Sequence, residues 1–448
     1  MPRKLPDNDQ ITARPTTPRL VRLCALLAAA IVAAAVSATP AAASWGQPFA
    51  VSKEGQNALT PKLAVDDSGT AFVWVRPVSG DLIVQARLRS FFGTLGPVHD
   101  ISPPGEDAFR PDVAIDTDGD AVITWQRSDG TNVRIQARQL STDNTLTAVQ
   151  DLSAPGQDAS APQVSVADEG DAVFTWLQFN GTIDRVQARA RAADGTLSPV
   201  QVISPPGKQS FDPNVGVDAN GDAVLVWRSS QSTAVRVQTR ARSALGTLTS
   251  IQTLSGQNGS TGEPEVAVDD GGDAVFTWRR SVTGVQRIET RVRSAAGVLS
   301  ANVQQLSPAG QSAFQPHVGV DTDGDAVYTW QRSDGTNTRI QSRARTFSTG
   351  VLSPVQDLSE AGQNADSPQV AVDIFGNAAF VWRRFDGANS VVQARTRTVG
   401  GALGAVDDVS VAGETTADPQ VGVDQDFNAT ATWMRDIVID RIAAALGP

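Results

Sequence analysis

Cysteine is nearly missing from this 448-residue chain: Cys24 is the only one. With it go disulfides, a thiolate nucleophile and any Cys-ligated metal beyond the first few dozen residues. Histidine is confined to His99 and His317 and tyrosine to Tyr328, so catalytic triads fail on inventory. Tyr328 stands in a slot held elsewhere by Ile123, Phe174 and Phe276, which marks it as core and argues against a tyrosine nucleophile. After residue 43 the only lysines are Lys53, Lys62 and Lys208. After residue 43 there are 46 acidic against 32 basic residues, nearly all of them arginine, and a chain this acidic argues against nucleic acid or an anionic membrane as partner, since both need a basic patch.

Long apolar runs are also scarce. The one run, Leu23 to Val36, follows Arg14, Arg19 and Arg22 and precedes Ala41-Ala42-Ala43-Ser44. Charged region, apolar region and small-residue site read as a signal peptide over residues 1–43, and the run is shorter than the ~20 residues a membrane span needs. Cys24 lies at the start of that run, the wrong place for a lipoprotein cysteine. The expectation is a secreted, extracellular protein without membrane insertion after cleavage, its single domain covering residues 44–448. Without residues 1–43 the net charge falls from −11 to −14, which suits solubility outside the cell.

What the chain does contain is repetition. Trp74, Trp125, Trp176, Trp227, Trp278, Trp330, Trp382 and Trp433 are 51 or 52 positions apart. Each unit opens on a proline: Pro61, Pro111, Pro162, Pro213, Pro264, Pro316, Pro368 and Pro419. A period near 50 with short β segments and no helical apolar spacing indicates a β-propeller. In the unit at 161–211, strands are expected over Pro162–Val166, Asp171–Gln178, Arg185–Arg191 and Leu197–Ser204. The second strand is apolar on both faces, as in Ala121, Ile123 and Trp125 against Val122 and Thr124. Such a strand must be covered on both sides, as a stacked blade is.

The last unit ends after its third strand, near Leu446, while Gln47 to Ser52 reads as an orphan fourth strand. The fold expected is all-β: an eight-bladed β-propeller of four-stranded antiparallel blades, closed by the N-terminal strand completing the last blade. Units 2 and 6 match best, sharing Asp-Thr-Asp-Gly-Asp-Ala-Val, and lie opposite in such a ring.

A residue that fills its slot in nearly every unit is structural, because an active site is needed once. Val-Asp-x-x-Gly-Asp is therefore read as a turn, Asp capping amides and Gly supplying positive φ. A competing reading is calcium at Asp116, Asp118 and Asp120 and at Asp321, Asp323 and Asp325, which space carboxylates at alternate positions. These five-residue stretches resemble the calcium loops of integrin-type propeller repeats, but Ala121 with Thr124, and Ala326 with Thr329, replace the later glycine and carboxylate. No other cofactor is called for. Recurrent arginines (Arg87, Arg138 and Arg189 in one series, Arg76 and Arg127 in another) are expected to pair with carboxylates between blades.

Slots whose residue varies are the functional candidates. The position after the opening proline carries Lys62, Asp112, Gln163, Asn214, Glu265, His317, Gln369 and Gln420, and should ring one mouth of the channel. Phe109, Phe179, Phe211, Phe314 and Phe385 lie in loops expected on that same face, where aromatics stack on sugars or hold peptide side chains.

The phrase Pro-x-Val-x-Val-Asp-x-x-Gly-Asp-Ala-Val-x-Thr-Trp-x-Arg, nearly complete in 111–127, 264–280 and 316–332, resembles the repeat of uncharacterised exported β-propeller-like proteins of GC-rich bacteria. The resemblance implies export and a repeated β fold and carries no catalytic residues. The reading is a non-catalytic, monomeric scaffold that binds an extracellular glycan or protein at the channel mouth. The alternative is a polysaccharide hydrolase or lyase using two carboxylates on the same scaffold.

Overall fold

The computed structural model describes residues 45–232, 234–436 and 441–447; the expected signal peptide, residues 1–43, and Cys24 lie outside them. Eight four-stranded antiparallel sheets follow one another along the chain. Blade 1 comprises Leu59–Asp66, Gly69–Val78, Asp81–Ser90 and His99–Asp100. In blade 3 the strands are Ala159–Val166, Ala172–Phe179, Asp184–Arg191 and Gln201–Val202, so the four pieces read from sequence are present, with the fourth shorter. The β-propeller of eight blades is thus the fold of this chain.

Blade 8 is assembled from both ends. Its inner strands, Thr415–Val423, Ala429–Asp436 and Arg441–Leu446, are completed by Phe49–Ala50. Phe49 pairs with Ala444 and Ala50 with Ala443. Val51 N–H donates to the Ile442 carbonyl at 3.0 Å, and Ile442 N–H to Ser52 Oγ at 3.0 Å. The edges that would invite aggregation are thereby paired.

The core lies between blades. Val73 and Ala86 of blade 1 pack on Ile123 and Trp125 of blade 2, and Ile442 and Ala444 of blade 8 pack on Phe72 and Trp74 of blade 1. All eight repeated tryptophans are fully buried. Each removes roughly 150 to 250 Å² from water, worth about 4 to 6 kcal/mol as an upper bound. Tyr328 is core as expected, its hydroxyl hydrogen-bonded to Thr290 Oγ1 at 2.8 Å and its pKa pushed up by burial.

The acidic turns tie neighbouring blades. In Val-Asp-x-x-Gly-Asp the aspartate caps its own turn: Asp218 Oδ1 accepts from the amides of Asn220 and Asp222, each at 2.9 Å. Its other oxygen lies against Gly272 in the next blade's turn, where a Cβ would sit 2.8 Å from it. Gly272, at φ +87°, is therefore fixed both by its backbone and by its neighbour.

Of the second-strand arginines, Arg280, Arg435 and Arg384 meet carboxylates, those of Glu289 at 2.8 Å, Glu414 at 3.2 Å and Glu360 at 3.9 Å, whereas the third-strand arginines form a different link from the one expected. In blades 1 to 7 the third-strand arginine reaches backward to a backbone carbonyl, not a carboxylate. Arg240 donates to Thr249 O at 2.6 Å within its blade and to Ile203 O at 3.2 Å in the preceding one. Arg87, Arg138, Arg189, Arg291, Arg343 and Arg395 repeat the pattern. A second series, including Arg242 to Gln201 Oε1 at 2.8 Å and Arg345 to Gln304 Oε1 at 2.7 Å, also crosses between blades. Carbonyls are the better partner here because the outer strand of every blade has them to spare, whatever its side chains.

Candidate functional site

Each first strand enters the ring through a bulge. The residue before the opening proline has positive φ in all eight blades: Thr60, Arg110, Ala161, Asp212, Glu263, Gln315, Ser367 and Asp418, between 46° and 53°. At each of these places the ladder to the second strand slips register. None of the eight is glycine, and a left-handed L-residue costs about 1–2 kcal/mol. Bulges of this kind bend a strand and re-aim side chains.

Two positions further on stand the residues selected from sequence. Lys62, Asp112, Gln163, Asn214, Glu265, His317, Gln369 and Gln420 occupy identical registers, opposite Val73, Thr124, Thr175, Val226, Thr277, Thr329, Val381 and Thr432. Eight-fold repetition places them at one level around the axis, and neighbours touch. Asn214 Nδ2 donates to Glu265 Oε2 at 2.7 Å, and Gln369 Nε2 lies 3.3 Å from His317 Nε2. Asp112 Oδ2 accepts from the Val164 amide of the next blade at 2.9 Å.

All eight retain some contact with solvent, yet protein encloses them on every side, as in a narrow shaft. Burial dominates the acid–base behaviour of Glu265, His317 and Asp112. Glu265 is raised to about 7, with the nearby Asp112 charge adding to the effect and the Lys62 ammonium opposing it. His317 is lowered to about 4 by burial and by Lys62. Asp112 is raised by burial, against Lys62 and its amide bonds.

Below this level the shaft becomes apolar. A space of about 370 Å³ is lined by valines such as Val65, Val217 and Val320, by Gly319 and by Ser165. At the far mouth are the turn aspartates, among them Asp66, Asp116, Asp373 and Asp424, around about 180 Å³.

The five phenylalanines divide. Phe179 and Phe385 end the second strands of blades 3 and 7 and are 36% and 44% exposed. Phe109, Phe211 and Phe314 are half-buried beside the bulges. Phe211 is covered by the Arg228 guanidinium at 5.1 Å and Phe314 by that of Arg279 at 5.7 Å. Those arginines also hold rim acids, Arg228 to Asp212 at 2.5 Å and Arg279 to Glu263 at 3.1 Å. The pre-proline rim was missed in the sequence, although its residues vary within a fixed slot just as the shaft residues do.

Four of the six candidate calcium ligands are occupied otherwise, and Asp118 and Asp323 are exposed at the turn tips. Asp116 Oδ1 accepts from the Asp120 amide at 2.8 Å, while the Asp120 carboxylate turns away to Gln139 Nε2 at 2.8 Å and the Thr142 amide at 3.0 Å. Asp321 Oδ1 accepts from Asp323 and Asp325 amides, and Asp325 Oδ1 from Phe347 N–H at 2.7 Å. Among the described residues no three His, Cys, Asp or Glu side chains are grouped to hold a metal ion.

No protein-family profile matches the chain, and no curated protein matches it in sequence. Among solved structures, an ulvan lyase from a new polysaccharide lyase family is similar with a TM-score of 0.52 and 9% identity, over 90% of this chain and 93% of that one. The β-propeller domain of the Trilobed protease from Pyrococcus furiosus gives a TM-score of 0.48 at 7% identity, over 82% and 98%. A protein of unknown function from Dyadobacter fermentans gives 0.46 at 10%, over 91% and 99%. At such identities the likeness is one of fold.

Proposed function

We propose that this chain is an exported recognition scaffold that binds an extracellular carbohydrate or protein ligand at the bulged mouth of its channel. The observation that carries the reading is the pair of eight-membered tiers, rim and shaft. Both vary from blade to blade while the buried tryptophan recurs in all eight and the backward-reaching arginine in seven. Polar variation at a concave mouth is what a binding site requires and a packed core does not. Phe179 and Phe385, on diametrically opposed blades, add apolar faces to the same end.

A second reading, cleavage of a polysaccharide, is favoured by one observation. Glu265, a carboxyl that holds its proton near neutral pH, shares a ring with the carboxylate of Asp112, and such pairs perform acid and base work on glycosidic bonds. A glycan array followed by product analysis on each hit separates the two. Binding without turnover supports the scaffold. Turnover abolished in Glu265→Gln with binding retained supports the enzyme, and an array without hits removes carbohydrate from both readings.

A further inference from the structure

We infer that the shaft tier seats the terminal residue of an uncharged glycan end-on, one sugar deep, with Lys62 and the amide oxygens of the ring shared among its hydroxyls. This rests on the recognition reading above and specifies its ligand.

The argument begins with which atoms of the ring are already spent. Gln163 Nε2 donates to Pro162 O and Gln420 Nε2 to Pro419 O, each at 2.9 Å. Asn214 is used on both sides, by Glu265 and by the Val215 amide at 2.7 Å. His317, neutral, faces the Gln369 amide nitrogen. What remains without a protein partner among the described residues is a set of acceptor oxygens, Gln163 Oε1, Gln369 Oε1 and Gln420 Oε1. Opposed to them is one ammonium, that of Lys62.

A ligand for this set must donate several hydrogen bonds and accept from a cation. Anionic groups meet the surplus acceptors and carboxylates; a cationic group meets Lys62. Hydroxyls do both jobs, since each donates and accepts. A neutral polyol therefore fits where a uronate or an amine does not.

Geometry sets the mode of entry. The ring is built from the innermost strands of all eight blades, so no chain can lie across the shaft at this level, and a ligand arrives along the axis. It also stops there. The space beneath is walled by valines and glycines with Ser165 the one polar side chain lining it, so a second sugar pushed through would bury hydroxyls without partners.

The test is calorimetric titration of the full chain with linear neutral gluco-, manno-, xylo- and arabino-oligosaccharides, cyclic glucans without chain ends, oligogalacturonates and glucosamine oligomers. At least one linear neutral series should bind, with affinity level once the chain exceeds a few sugars. The cyclic glucans and both charged series should bind at least about ten-fold more weakly, the loss of roughly one well-made hydrogen bond. Lys62→Met and Gln163→Leu should each weaken the neutral ligand about ten-fold with the melting temperature unchanged. Gln420→Leu, at the same level, provides the readout if Gln163→Leu does not fold. Equal binding of a charged or cyclic glycan, or shaft variants that bind like the parent, overturns the end-on inference and leaves recognition at the mouth standing. If no glycan in the panel binds, the inference falls together with the carbohydrate form of the reading beneath it.

Discussion

Asn214 and Glu265 belong to adjacent blades and meet across their boundary, the amide nitrogen of one donating to the carboxyl of the other at 2.7 Å. The contact lies inside a shaft that also holds Lys62, Asp112 and His317, so it gives the ring a measurable dependence on pH.

Glu265 is raised from its ordinary 4.5 to about 7. The folded state therefore keeps a proton that the unfolded chain releases, and stability is lost as pH rises from about 4.5 through 7. His317 is lowered from 6.5 to about 4, so stability is lost in the other direction, as pH falls from about 6.5 to 4. The two windows overlap between about pH 4.5 and 6.5 with opposite slopes, so in the parent they largely offset each other. Glu265→Gln should leave a melting temperature that falls toward low pH across this range and His317→Gln one that falls toward high pH; a variant whose profile matches the parent's contradicts the burial described for that residue.

Ring closure depends on a very short strand. A chain shortened to begin at Gln56 loses Phe49, Ala50 and the Ser52 hydroxyl, and exposes the Arg441–Leu446 edge. It should unfold without a single cooperative transition or aggregate on concentration, read by calorimetry and light scattering.

The backward-reaching arginines are expected to carry real stability because a charged donor bonds to carbonyls in two blades. Arg240→Met keeps the aliphatic stem and removes both bonds, and should cost about 2 kcal/mol in urea unfolding. Arg240→Lys should recover little of it, since an ammonium cannot span both carbonyls.

Calcium is tested on the same turns. With Asp116 and Asp321 engaged by turn amides and Asp120 and Asp325 turned toward the third strand, chelation should leave the melting temperature unchanged. A rise of several degrees on adding calcium would show that these loops reorganise around the ion.

Much of this was legible in the residues. Tryptophan spacing fixed the blade count, the both-faced apolar second strand implied stacking, and the unmatched strand at Gln47–Ser52 announced the closure. The variable slot after each proline led to one ring of side chains. The pre-proline bulge was not legible because nothing in Thr60, Arg110 or Ala161 announces positive φ; the ring imposes it. The partners of the third-strand arginines were misread for a related reason. A sequence displays carboxylates and conceals carbonyls, and Arg240 with its counterparts in the third strands chose the latter.

The strand at Phe49 and Ala50 must wait for every other blade before it finds its place. A chain made from its N-terminus forward therefore carries an unfinished edge until its final segment emerges, and only a complete copy can hide it. A chain that stops short of Arg441–Leu446 leaves Phe49–Ala50 without the strand it pairs with, so one end of the sequence cannot be stabilised without the other.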